Sequence, residues 1–224
     1  MCAEQTSYGL ISRDMALVAS YWADRDALRI DDAKNTFIEL VDPEICRGGR
    51  PSFRKIAMVN MCFTEWVLFE YRISGGLTPL SAILECPSSA LSDTSVRRLR
   101  QVAETQFFSR FAIIDKDSAA GFLMAEDLSS GEHYTICDPV ASANSLWRDG
   151  SLAMRIALVD GVWHTVGQTR LYDRTSPRLG ERASRDNDTL ARDRSCFVRL
   201  LRDTLGQDGR YHASTRIVEA EACY

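Results

Sequence analysis

The chain has 224 residues, 45% of them hydrophobic, enough for one large domain or two small ones around a substantial core. Its formal net charge of −4 gives no whole-chain attraction to nucleic acid or anionic lipid, so only a local basic patch could serve either. Seven scattered cysteines and an N-terminus without a signal-peptide pattern point to a reducing cytoplasm, and the longest apolar run, near Met58 to Ile73, is cut by Glu65, Glu70 and Arg72, which excludes a membrane helix of about 20 apolar residues.

From Leu10 to Leu28, apolar residues at Met15, Leu17, Val18, Tyr21, Trp22 and Leu28 recur at helical spacing, which predicts an amphipathic helix. A second helix is expected to start at Asp31, a good N-cap, to turn Phe37, Ile38, Leu40 and Val41 inward, and to end before Pro43. The segment CRGGRPSFRK then reads as a loop, with Pro51 leading into a third helix from Phe53 to Ile73. That helix is apolar on nearly all sides and is expected to be central, with Gly75 and Gly76 supplying its C-cap. Thr78 and Pro79 open a short helix through Leu84, and a further helix is expected from Asp93 to Phe108, buried along Val96, Leu99, Ala103 and Phe107.

Past Ser109 the period changes from helical to alternating. RFAIIDKD, GFLMAEDL, HYTICD, LAMRIALVD and VWHTVGQTRLYD read as five strands separated by turn signals such as Ser130-Gly131 and Asp160-Gly161. The expected architecture is α+β: a helical N-terminal half (1–108) packed on a five-stranded antiparallel meander or small barrel (109–173). A charged connector (174–194) without aromatic residues leads to a C-terminal helix and tail (195–224), whose RYHASTRIVEA stretch alternates weakly, as an edge strand would.

The tests for chemistry are mostly negative. Neither G-x-x-x-x-G-K-[ST], G-x-G-x-x-G nor G-x-S-x-G occurs, and the three histidines, His133, His164 and His212, all fall in expected strands. There is no C-x-x-C pair and no H-E-x-x-H helix, so no metal site and no cofactor are expected. Asp115, Asp117 and Glu126 fit three positions of a calcium loop, but Ala120 stands where its glycine belongs, and a charged hairpin turn is the better reading. The expected barrel carries five basic and nine acidic side chains, which repels a phosphate backbone. Two basic groups remain as candidates for an anion, a nucleic acid or an acidic partner: Arg47, Arg50, Arg54 and Lys55 in the loop, and Arg97, Arg98 and Arg100 on a helix; the alternative for both is a solvated face.

The stretch FTEWVLFEYRISGGLTPL offers the sharpest polar candidates, Glu65, Glu70 and Arg72, as pocket-lining groups. On one continuous helix the two glutamates lie about 140° apart, so they do not share a face as paired carboxylates, and Arg72 is about 10 Å of rise from Glu65. Each charge is expected to find its partner on another element, at the junction with the β part. With His133, Tyr134 or His164 they form the enzyme hypothesis; the leading hypothesis is a cytoplasmic, non-enzymatic binding or adaptor protein that uses a groove between the two halves, with an unknown protein partner or a second copy.

That stretch, followed by ETQFFSRFAIID, FLMAEDLSSGEHYTICD and SLAMRIALVDGVW, resembles the body of uncharacterised bacterial proteins, many of which carry a C-terminal SEC-C zinc motif. The likeness spans Phe63 to Trp163. The cysteine-rich zinc segment has no counterpart in this chain, and the family brings no catalytic residues to carry over.

Overall fold

The computed structural model describes residues 3–25, 27–48, 50–73, 75–147, 150–173 and 194–206. The fold is α+β, with helices first, then a small barrel, then a last helix that returns to the helical layer. In chain order the elements are α1 (Ala3–Arg25), α2 (Ala27–Val41), a 3₁₀ turn (Glu44–Arg47), α3 (Phe53–Phe69), α4 (Pro79–Glu85) and α5 (Asp93–Thr105). They continue with β1 (Phe107–Asp117), β2 (Phe122–Asp127), β3 (His133–Cys137), α6 (Pro139–Ala143), β4 (Ser151–Val159), β5 (Val162–Thr165), β6 (Arg170–Asp173) and α7 (Arg194–Leu205). The connector's residues 174–193, His212 and the RYHASTRIVEA stretch lie outside the described residues.

Caps account for most of the helix starts. Ser52, Thr78 and Ser92 each turn a side-chain oxygen to a backbone N–H three residues on, satisfying a donor that the first helical turn leaves open. Asp31 is not a cap, contrary to expectation: α2 starts at Ala27, one residue after α1, because neither glycine nor proline interrupts the chain there, and Asp31 pairs with Lys34 on the helix surface. The third helix also ends earlier than its composition predicts. It stops at Phe69, where the N–H groups of Glu70 and Tyr71 both donate to the Trp66 carbonyl. Gly75 and Gly76, both at positive φ, form the turn after it rather than its cap. Phe107, expected on the buried face of α5, is the first residue of β1.

The strands close into a ring in the order β1-β2-β3-β5-β4, completed by pairing of β1 with β4, while β6 continues the β5 edge along β4, opposite β1. All neighbours are antiparallel except β3 and β5, which run parallel because the crossover through α6 brings β5 in beside β3. The last expected strand splits in two around Gly167.

Three apolar clusters result. The barrel interior holds Phe111, Tyr134, Trp147, Met154 and Ile156. Outside it, α2, α3 and α7 pack Phe37, Trp66, Phe197 and Leu201 against Phe108, so the C-terminal helix docks within its own chain. On the other side α1, α4 and α5 bury Val18, Leu80, Leu99 and Val102 with Leu68 and Phe69 of α3. No helix among the described residues is long and apolar enough to cross a membrane.

Candidate functional site at the junction of the helical half and the barrel

Side chains alternate along a strand, and on β4 that alternation sends Met154 and Ile156 into the barrel and Ala153, Arg155 and Ala157 outward to the helices. The two alanines let the helices approach closely, and the arginine between them is 2% exposed. A buried guanidinium must have all its donors met. Arg155 Nε donates to Glu65 Oε1 at 3.3 Å, Nη2 donates to Glu70 Oε1 at 2.8 Å, and Nη1 donates to the side-chain carbonyl of Gln106. Its plane also lies over the rings of Phe69, at 4.5 Å, and Phe197, at 4.9 Å, which adds cation–π attraction in a desolvated setting.

Both glutamates therefore converge on one cation, which corrects the helical-wheel separation. The angular separation does not keep them apart because the guanidinium of Arg155 spans it, with Nε meeting Glu65 inside α3 and Nη2 meeting Glu70 at the helix's C-cap. As expected, the partner comes from another element, the barrel. Glu65 is also bound to the loop before β6: its Oε2 accepts from the Gln168 N–H at 2.9 Å and lies 4.0 Å from Arg170 Nη1. Gly167 makes this approach feasible, since a Cβ there would stand 2.5 Å from Glu65 Oε1. Arg170, itself buried, donates from Nη2 to Cys62 Sγ at 2.8 Å. Burial pushes the Cys62 thiol above its ordinary range, with Arg170 opposing that shift. The core of this network thus sets two carboxylates against two guanidiniums.

Arg72 does not join it. Its side chain is exposed and donates to the Gly76 carbonyl at 3.0 Å, yet it lines the same opening: a cleft of about 210 Å³ bounded by the end of α3, the start of α4, the start of β1 and α7. Glu70, Arg72, Gln106 and Arg155 supply its charged and amide groups and Thr78 and Ser81 its hydroxyls, while Phe108 and Phe197 lie beneath it, buried against each other and under the Arg155 guanidinium.

The remaining candidates lie elsewhere. His133 is exposed, 3.7 Å from Glu126, and the Tyr134 hydroxyl donates to Glu132 at 2.6 Å while its ring packs on Phe107 and Trp163. His164 is buried on β5. The loop cations meet nearby acids, Arg47 with Asp42 and Lys55 with Glu44, and Arg50 and Arg54 are exposed. On α5, Arg97 pairs with Asp160 at the surface, Arg100 is exposed, and Arg98 forms a buried bridge to Asp14 at 2.7 Å that ties α5 to α1. Asp117 Oδ1 accepts from the Ala120 N–H in the β1–β2 turn, the geometry of a charged hairpin.

Sequence reasoning singled out neither Arg155 nor Arg170, Cys62 or Gln106. The signal for Arg155 was present: a lone arginine inside SLAMRIALV, a run otherwise built for burial. Among the described residues no group of three or more His, Cys, Asp and Glu side chains is placed to hold a metal ion. No family model, no curated protein and no solved structure matches the chain.

Proposed function

We propose that the protein is a cytoplasmic, non-enzymatic binding or adaptor protein whose ligand enters the cleft between the helical half and the barrel. The supporting observation is the saturation of the acids beside that cleft. Both oxygens of Glu65 accept hydrogen bonds, and Glu70 is held by Arg155, so neither carboxylate stands ready to take a proton from a substrate. What the cleft offers is an opening of about 210 Å³ lined mainly by polar groups that their own hydrogen bonds hold in place, which suits binding. The likeness of Phe63–Trp163 to the body of SEC-C proteins is part of the same proposal, as kinship of that stretch alone.

The test is affinity capture from the native host with the full chain as bait, wild type beside Ser81→Trp, which fills the cleft from its exposed side. The expected result is a protein or small molecule retained by the wild type and lost from Ser81→Trp, at matched melting temperature. Identical retention by both would overturn the reading. So would chemical conversion of a retained compound by the wild type but not by Glu70→Gln.

A further inference from the structure

The end of α3 away from the cleft carries apolar surface that the fold leaves uncovered. Phe53 is 83% exposed, the most of any large hydrophobic side chain among the described residues, and Ile56 and Met61 are exposed with it. At 3.6 residues per turn these three fall within about 140° of the helix circumference, with Ala57 and the uncharged Asn60 and Thr64 between them. No acid stands on α3 before Glu65, which is buried. Arg54 borders the stripe on the Met61 side and Arg50 precedes the helix, both exposed. From Asp42 to Met61 the chain carries four cations and two acids, and the acids are met by Arg47 and Lys55. A net charge of +2 therefore accompanies the apolar stripe, on a chain whose total is −4.

Size and charge select the partner. A stable protein interface takes about 800 Å² and some 20–30 residues from each side. The stripe runs along only the first turns of α3, about 13 Å, and is too small to carry one. A projecting ring between arginines suits a lipid interface, where the ring enters the acyl boundary and the guanidiniums stay with the phosphates. We propose that the first half of α3 docks the protein onto an anionic membrane surface, with Phe53 and Ile56 inserted at headgroup depth and Arg50 and Arg54 on lipid phosphates. The contact is peripheral, needs no spanning helix, and is independent of the cleft at the other end of α3. Each cation beside an anionic leaflet strengthens attachment about fivefold, and burying a phenyl ring adds about tenfold or more. Either signal alone gives marginal binding, and the pair gives attachment that depends on lipid charge.

The experiment floats the full chain with phosphatidylcholine vesicles and with vesicles of phosphatidylcholine and phosphatidylglycerol in equal parts. Wild type is compared with Phe53→Ser, with the double variant Arg50→Gln and Arg54→Gln, and with Arg100→Gln on α5. All four positions are exposed, so the substitutions leave the fold intact, and a thermal melt checks each. The wild type is expected to bind the anionic vesicles about twentyfold more tightly than the neutral ones. Phe53→Ser should weaken that binding about tenfold, and the double arginine variant should reduce it to the neutral level. Arg100→Gln, a cation outside the patch, should leave it within about twofold. Equal binding to both compositions, or no flotation with either, would overturn the proposal. So would a loss in Arg100→Gln as large as in the double variant, which would mean attraction spread over the whole surface. Sedimentation velocity without lipid decides the other occupant: a dimer that Phe53→Ser dissociates would overturn the membrane assignment and give the stripe to a second copy of the chain.

Discussion

The two ends of α3 have similar composition and opposite fates. Its first nine residues, FRKIAMVNM, include no buried side chain, and Phe53 is 83% exposed. Its last eight, CFTEWVLF, bury six, among them Glu65. Apolar content alone therefore does not fix burial. What separates the two ends is that the second lies over the outer face of β4, where Arg155 ties it to the barrel, while α2 and α7 cover the first only in part.

The largest test of this contrast removes the tie. Arg155→Met leaves Glu65 and Glu70 without their shared cation and is expected to destabilise the protein by about 3–5 kcal/mol, read from urea unfolding, with part of the loss recovered when Glu65→Gln and Glu70→Gln are added. A loss below about 1 kcal/mol would mean that the apolar clusters alone hold the second half of α3. Next in size, Gly167→Ala forces a methyl group against the Glu65 carboxylate and should cost about 1–3 kcal/mol in the same assay, because both the loop and the buried acid are held. Ser52→Ala, which removes the cap at the exposed end, should cost about 1 kcal/mol. Phe53→Ser should change stability by less than about 0.5 kcal/mol, and a larger loss would show that the exposed end is covered in solution.

A pH test probes the boundary between the helix and the turn after it. The Tyr71 phenol is pushed up to about 12 by burial and by its hydrogen bond to Asp32, against about 10 for a free tyrosine. A raised value means that the neutral phenol is favoured in the folded state, so this contribution is whole below about pH 10 and is lost as pH rises through about 12. Absorbance at 295 nm should show the Tyr71 phenol titrating late, near pH 12, with Tyr8, pushed up further by burial, later still, and Tyr71→Phe should remove the earlier of the two steps.

Much of the architecture was legible from local chemistry. The change of period near Ser109, the Thr78-Pro79 restart and the hairpin turns are decided within a few residues, and they fall where the pattern puts them. The parallel pairing of β3 with β5 was not legible, because it depends on a crossover whose only local sign is the Asp138-Pro139 cap of α6. The candidate site divides in the same way. Glu65 and Glu70 were visible as charges out of place in an apolar run, and a partner on another element followed from the cost of burying them. That they share one partner depends on the reach of Arg155, whose Nε and Nη2 meet acids five residues apart, a tertiary fact that α3 alone does not carry.

The same ion network has a consequence for the order in which the chain can become stable. Its members lie at residues 62, 65, 70, 106, 155 and 170, so a growing chain carries both acids for some ninety residues before the first cation is made. A fragment ending at residue 108 would contain every helix of the N-terminal half and neither Arg155 nor Arg170. Such a fragment is expected to stay unfolded until the barrel is supplied, which makes the boundary between the halves a change of secondary structure rather than a point where the protein can be divided.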